Sequence, residues 1–479
     1  MKGPRVVCIT SVLVYCLAIA CGDEPGKNKD HDSETSDTGT HSDGDADSDA
    51  DGDTDTDGDG DGDTDGDADS DTDADGDADT DADGDADYLP GDELAPWEGG
   101  PDYYSQWENG VPTDPSFFPI AVWLQAPDAT STAEQYRDIG INLHVGLWEG
   151  PTEEQLAAAA ALPTMVIASQ NEVGLASENA GVIKAWLQPD EPDNAQNGTE
   201  DPMPPAEVIA AYDSMVAADD TRPVYLNLGQ GVAADTWYGR GNRTNHPEDY
   251  VEYAEAGDIL SFDTYPMNVF LAEASDPDWK RAFHSEVAQN IWYVARGVDR
   301  LREWVSYEKP VWVWIETTNF NGEEGFALTP ELTKAEVWMA IIHGARGIGY
   351  FCHVFGPSFI EAGLLADAAM TEGVHEVNDQ IKELAAVLNT QSVSNGVTAT
   401  SSNTEIPVDT MVKRQAGFTY VFAVSMRAGA TTASFALRDF EGTADVDVLG
   451  ENRTLTSVDG EFEDDFDDFS VHIYRVSNP

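Results

Sequence analysis

The sequence predicts an α/β protein: a (β/α)₈ TIM barrel with a small C-terminal antiparallel β-sandwich domain, preceded by a disordered Asp-rich linker. Three observations carry this. Eight apolar runs of strand length alternate with helical stretches between Phe118 and Leu388. The runs are continuously apolar, as expected of parallel strands covered on both faces. After Asn389 the pattern changes to period-two alternation broken by turn residues, the mark of antiparallel strands with one face exposed.

The runs are, in order, 118–124, 142–148, 164–168, 183–188, 223–228, 259–263, 310–315 and 347–351. Helices are expected around Ala133–Ile139, at Glu153–Ala161, at Pro205–Ala218, at Glu286–Val305, at Glu331–Gly344 and at Glu372–Leu388. An open doubly wound sheet would give similar alternation. No Gly-x-Gly-x-x-Gly follows an early strand, however, and a count of eight favours closure. Beyond the barrel, Gly417–Ser425, Thr432–Leu437, Ala444–Leu449 and Phe469–Tyr474 read as the strands of the second domain, expected to cap the barrel. The expected division is residues 1–20 as an export signal, 21–90 as a stalk, 91–390 as the barrel and 391–479 as the β-sandwich.

Lys2 and Arg5 precede an apolar run from Val6 to Ala20. At about 15 residues it is short of the roughly 20 needed to span a bilayer. Leu17-Ala18-Ile19-Ala20-Cys21 resembles a bacterial lipobox, which implies lipidation of Cys21 and a membrane partner through that lipid; an ordinary secretory signal is the alternative. Gly22 after the cysteine implies, by the same resemblance, an outer-membrane lipoprotein. Cys8 and Cys16 would leave with the signal and Cys21 would carry lipid, so only Cys352 remains, and neither an intramolecular disulfide nor a cysteine-based zinc cluster is expected.

Every odd position from Asp43 to Asp87 is aspartate, with Gly, Ala, Thr or Ser between. Such a segment has nothing to bury, and its charges repel, so it is expected to stay extended. From Gly22 to Pro90 its reach is at most on the order of 220 Å. It lacks the closing Glu and flanking helices of a calcium loop. The whole chain carries a formal charge of −67, which argues against nucleic acid and polyanionic substrates. No cofactor is expected, and His-x-His or His-Glu-x-x-His metal spacings do not occur. The sequence leaves the oligomeric state open.

In a (β/α)₈ protein the chemistry lies where strands run into the loops that follow them. Strand four runs into Gln188-Pro-Asp190-Glu191-Pro-Asp193, and strand seven into Trp314-Ile-Glu316-Thr-Thr. These motifs, from Phe118 to Asn389, resemble the retaining glycoside hydrolases of clan A, which carry catalytic glutamates after strands four and seven. The resemblance implies Glu191 as general acid/base and Glu316 as nucleophile in hydrolysis of a β-linked poly- or oligosaccharide. Two carboxylates about 5–5.5 Å apart serve a retaining reaction; about 6.5–9.5 Å serves inversion. Asp190 departs from the clan, which has asparagine there to contact the sugar.

Further candidates for a carbohydrate partner sit at other strand ends. Tyr265 and Asp263 follow strand six, Trp148 follows strand two, Asn227 ends strand five, Trp237 follows it, and His353 follows strand eight. Aromatic rings suit the apolar face of a pyranose. Trp186, Trp312 and Trp314 lie inside strands and are assigned to the core; Arg240 and Arg243 serve either an acidic sugar or pairing with surface carboxylates, and pairing is the favoured reading. The alternative function is a non-catalytic glycan-binding surface lipoprotein on the same scaffold, which would have no need of opposed glutamates; a surface adhesion protein is a third, suggested by the stalk alone.

Overall fold

The computed structural model describes residues 86–479 except 129, 196–200 and 272. The signal-like segment, Cys21 and nearly all of the Asp-rich stretch lie outside the described residues. Eight parallel strands close in sequence order: β1 (Ile120–Trp123), β2 (Leu143–Val145), β3 (Met165–Ser169), β4 (Ile183–Leu187), β5 (Val224–Leu228), β6 (Ile259–Asp263), β7 (Val311–Glu316) and β8 (Ile348–Phe351). β8 closes on β1 through Ile120↔Ile348. All eight coincide with the apolar runs of the sequence.

The period of two sorts each strand into a lumen face and a helix face. On β7, Trp312 and Trp314 fill the lumen with Ala121, Trp123, Val145 and Tyr225, while Val311, Val313 and Ile315 pack outward against helices. The two indoles fit because glycines just before and within β8 lie beside them. A Cβ on Gly347 would lie 2.4 Å from Trp312, and one on Gly349 would lie 2.3 Å from Trp314. At the N-terminal end, Tyr104 of a short 3₁₀ turn (Pro101–Gln106) plugs the lumen and accepts from Trp312 Nε1 at 3.2 Å.

The outer layer comprises α1 (Thr130–Asp138), α2 (Glu153–Ala161), α3 (Glu172–Ala176), α4 (Pro205–Ala218), α5 (Asp249–Tyr253), α6 (Asp278–Val287), α7 (Tyr293–Trp304), α8 (Pro330–Ile342), α9 (Gly363–Ala366) and α10 (Ala368–Leu388). The single helix expected at 286–305 is two. Gln289 takes a positive φ of 59°, and Asn290 donates from its side chain to the Glu286 carbonyl at 3.0 Å, ending one helix before the next begins. No helix among the described residues is long and apolar enough to cross a membrane.

The C-terminal part is an eight-stranded antiparallel sheet folded over its own core: β9 (Val397–Ser401), β10 (Val408–Gln415), β11 (Phe418–Ser425), β12 (Thr431–Leu437), β13 (Thr443–Val448), β14 (Arg453–Val458), β15 (Glu461–Phe466) and β16 (Val471–Ser477), in the order 10-11-16-13-14-15-12-9. Four of these strands, β9, β10, β14 and β15, were not apparent as apolar alternation. β15, Glu-Phe-Glu-Asp-Asp-Phe, buries its two phenylalanines and turns Glu461, Glu463 and Asp465 to water, while Asp464 pairs with Arg453 at 2.7 Å and accepts from Tyr474 Oη at 2.9 Å. β11 is buried on both faces. Val421 and Ala423 enter the sandwich core, whereas Phe422 and Val424 pack on the barrel, where Phe422 stacks on Trp338 of α8 at 5.5 Å.

One ionic cluster ties the two parts together. Glu98, in the segment before the barrel, is buried and pairs with Arg346 beneath β8 and, at 3.1 Å, with Lys413 of β10, while Ser392 Oγ donates to it at 2.8 Å. Burial alone would raise its pKa; Arg346, Lys413 and Arg302 instead hold it down to about 2.

Candidate active site

The turn after β4 crosses the C-terminal mouth of the barrel and sets the site. Glu191 adopts φ 43°, a left-handed conformation unfavourable for a residue with a side chain and more so before proline. It is held there because its N–H donates to the Asn227 carbonyl at the end of β5 (3.1 Å) and its own carbonyl accepts from Asn194 N–H (3.0 Å). Backbone kept in such a conformation by its surroundings is a mark of functional turns.

Around this turn lies a cavity of about 410 Å³. Asp190, Glu191 and Asp263 line it together with the aromatic residues Trp123, Trp237, Tyr238, Tyr265, Trp314, Phe320, Phe351 and Phe355 and with polar and charged side chains that include Lys280 and His284. Asp190 Oδ1 accepts from Asn227 Nδ2 at 2.9 Å, and Asn227 Oδ1 accepts from Ser261 Oγ at 2.7 Å. Asn227 therefore spends both ends of its amide on positioning Asp190. Asp263, at the end of β6, shares a hydrogen bond with Glu191.

Three carboxyl groups so placed cannot all ionise at neutral pH. Enclosure by the cavity walls, and then repulsion from Asp263, Asp190 and Asp193, push the Glu191 pKa well above the carboxylate range. Asp263 is pushed up by burial and by Asp190. Asp190 rises to about 6, chiefly through burial, with Asn227 opposing. The Glu191–Asp263 pair thus holds one proton between two oxygen-rich groups, the arrangement from which general acids are made.

The neighbouring Asp193 is completely buried. It accepts from Gly229 N–H (2.9 Å) and Tyr250 Oη (2.8 Å), with Arg240 close by. Arg240 also pairs with Asp249 at 2.7 Å, as does Arg243. Both arginines serve pairing, as expected from sequence.

Glu316 ends β7, where the sequence motif places it, but its carboxylate does not reach the cavity. Although it stands in phase with Trp312 and Trp314, that carboxylate is completely buried. Oε1 accepts from Met267 N–H at 2.6 Å, and Oε2 from Asn268 N–H at 3.0 Å and Asn268 Nδ2 at 2.6 Å. Both oxygens are engaged in holding the turn after β6, and Asn268 stands between Glu316 and the cavity.

Behind it, Glu336 of α8 is equally buried, both its oxygens lack a hydrogen-bond partner among the described residues, and it lies near enough to Glu316 for the two charges to repel. Burial raises Glu316 to about 7 against the opposing donors, and burial together with Glu316 raises Glu336 well above its ordinary value. The folded pair therefore keeps a proton that the unfolded chain releases above about pH 4.5. Its stabilising contribution is complete below that pH and is lost as pH rises through about 7. Glu336→Gln supplies a permanent donor, so the variant is expected to melt at least as high as the parent at pH 8 and to show a flatter decline in Tm between pH 5 and 8. A steeper decline would contradict the retained proton.

The other expected residues divide. Tyr265 lines the cavity, its ring packed on Phe320 (5.0 Å) and Phe351 (5.2 Å). Trp237 lines it too, with Nε1 donating to Asn194 Oδ1 at 2.8 Å. Trp148 is 41% exposed and outside the cavity wall. His353 is buried among Phe351, Phe355 and Phe359, outside the wall, and burial lowers its pKa to about 4, so it packs as a neutral ring. Sequence reading missed Asn268, Asn194 and Gln230, and named Asp263 only as a candidate for binding the carbohydrate. The rule that found Glu191, a carboxylate where a strand meets its loop, applies equally to Asp263. Among the described residues no group of three or more His, Cys, Asp or Glu is arranged to hold a metal ion.

No family model and no curated protein matches the chain. Solved structures that align with it include glycoside hydrolases of several families. A GH30 endoxylanase from Clostridium papyrosolvens is 13% identical, with 81% of this chain and 98% of that one covered and a TM-score of 0.43. A GH42 β-galactosidase from G. stearothermophilus is 9% identical, covering 76% and 98% with a TM-score of 0.47. The α-galactosidase I of Mortierella vinacea is 9% identical, covering 76% and 98% with a TM-score of 0.46.

Proposed function

We propose that this protein is a glycoside hydrolase of the cell envelope, lipid-anchored through Cys21 and acting on a poly- or oligosaccharide outside the cytoplasm. The observation that supports this most is the hydrogen-bonded Glu191–Asp263 pair on the wall of an aromatic-lined cavity at the C-terminal mouth of a closed barrel. Glu191, the protonated member, donates to the departing glycosidic oxygen. Asp263, ionised, faces the positive charge that develops at the anomeric carbon and attacks it. Asp190, fixed by Asn227, keeps the proton on Glu191 by its own charge. In the second half-reaction Glu191, now ionised, takes a proton from the water that releases the sugar.

This reading keeps Glu191 as acid/base and moves the nucleophile from Glu316 to Asp263. A sugar bound between them would part the two carboxyls toward the roughly 5–5.5 Å of a retaining pair, short of the about 6.5–9.5 Å that inversion needs for its water. Proton NMR of the first-formed sugar from an active aryl glycoside, within a panel of such substrates, is therefore expected to show retention of anomeric configuration. Inversion would remove Asp263 from the nucleophile's place, and silence across a broad glycan panel would favour a binding protein on the same scaffold.

A further inference from the structure

Buried polar atoms are almost always paired, because an unpaired one forfeits its hydrogen bonds to water without replacement. Among the described residues that line the cavity, five carry a buried polar atom without a hydrogen-bond partner, on Asn194, Gln230, Asp263, His284 and Trp314, and two of these are side-chain amides. Asn194 is 1% exposed and Gln230 5% exposed, and neither Asn194 Nδ2 nor Gln230 Oε1 has a partner among the described residues.

Asn194 is held, not loose. It is locked through Oδ1 to the Trp237 indole at 2.8 Å and through its N–H to the Glu191 carbonyl at 3.0 Å, which fixes the direction of the free Nδ2. Gln230 opens the 3₁₀ turn Gln230–Val232 directly after Gly229. Gly229 leaves the space open: a Cβ there would lie 2.8 Å from Asn194 Nδ2 and 3.0 Å from Glu191 Oε1. The free amide and the proposed acid thus border the same small volume.

We infer that Asn194 and Gln230 select the sugar held beside Glu191, and that this sugar is neutral and bound through its hydroxyls. The inference rests on the glycosidase reading and names the substrate class for it. Asn194 Nδ2 needs an acceptor and Gln230 Oε1 needs a donor; a hydroxyl is both. A carboxylate, sulfate or phosphate has no proton to give Gln230, and it would meet the charge of the Asp190–Glu191–Asp263 wall. Asn227, the amide suggested by the sequence, has no free group for this task.

The test is ligand-observed NMR titration of the protein with glucose, galactose, mannose and xylose, and with glucuronate and galacturonate. It is run beside Asn194→Asp, which keeps the acceptor for Trp237 and removes the donor, and Gln230→Met, which removes the acceptor without adding charge. The parent is expected to bind at least one neutral sugar and neither uronate, and each variant, with a parental melting temperature, to weaken that binding about tenfold. On a cleaved aryl glycoside the same variants are expected to raise KM more than they lower kcat. Uronate binding as tight as the neutral sugar, or parental affinity in both folded variants, would overturn the inference. If aryl glycosides are cleaved with unchanged KM in both variants, the inference fails and the glycosidase stands. If the parent neither binds a sugar nor cleaves one, both fail.

Discussion

Glu191→Gln is expected to lower kcat/KM by about a thousandfold on a substrate with a poor leaving group, the usual range for removing a positioned general acid. The side chain is nearly isosteric, and its amide still donates to Asp263, so the fold and the turn should survive. What is lost is a proton that can be given away. The pH profile sharpens the expectation. In the parent, activity should rise with pH as one carboxyl of the Glu191–Asp263 pair ionises and fall once their shared proton is lost. Both limbs are displaced upward from ordinary carboxylates, because enclosure and mutual repulsion raise both groups. In Glu191→Gln the alkaline limb should vanish with the proton that caused it. A variant with parental kcat/KM, or one that keeps the alkaline limb, would remove Glu191 from the role of acid.

The largest stability effect is expected at Glu98. Replacing it with alanine leaves Arg346 and Lys413, whose side chains are 2% and 0% exposed, buried without their carboxylate. Breaking a buried network from one side costs about 3–5 kcal/mol, and here the network joins the barrel to the sheet behind it. Chemical denaturation of Glu98→Ala should show that loss at pH 7; less than about 1 kcal/mol would contradict it. The sign with pH follows from the depressed pKa. The unfolded group titrates near 4.5 and the folded one near 2, so the contribution of Glu98 is full above the first value and disappears as pH falls through the second. Lys413 adds an opposing feature, since burial pushes its pKa down to about 7 and the cluster loses that charge at mildly alkaline pH.

The barrel was legible because parallel strands covered on both faces have no choice but to be apolar throughout, and each of the eight runs became a strand. The sheet behind it was half legible for the same reason. Phe418–Ser425, buried on both faces, announced itself, whereas Glu461–Phe466 turns Glu461, Glu463 and Asp465 away from the core and reads as loop. In the site, the positions of Glu191, Asp190, Asn227, Tyr265 and Trp237 followed from one rule, that strand ends face the mouth.

The rule does not say which strand-end carboxylate stays open. Glu316 and Asp263 both end strands, and the difference between them is made by the turn at Tyr265–Asn268. Its N–H groups close over Glu316 and leave Asp263 beside Glu191. No residue pattern encodes that closure, because it depends on backbone donors that every residue carries. The free amides of Asn194 and Gln230 were invisible for a related reason. An unpaired group is recognised only once all its neighbours are known.

The assignment of the second carboxylate is the centre of this account, and one comparison addresses it directly: kcat/KM of Asp263→Asn and of Glu316→Gln, each against the parent and on the same cleaved glycoside. Asp263→Asn is expected to lose about a thousandfold or more, since the group meets the anomeric carbon. Glu316→Gln is expected to stay within about tenfold, since the amide lies behind Asn268 and acts only through the turn it holds. The reverse order, a crippled Glu316→Gln beside an active Asp263→Asn, would return the nucleophile to strand seven and contradict the account.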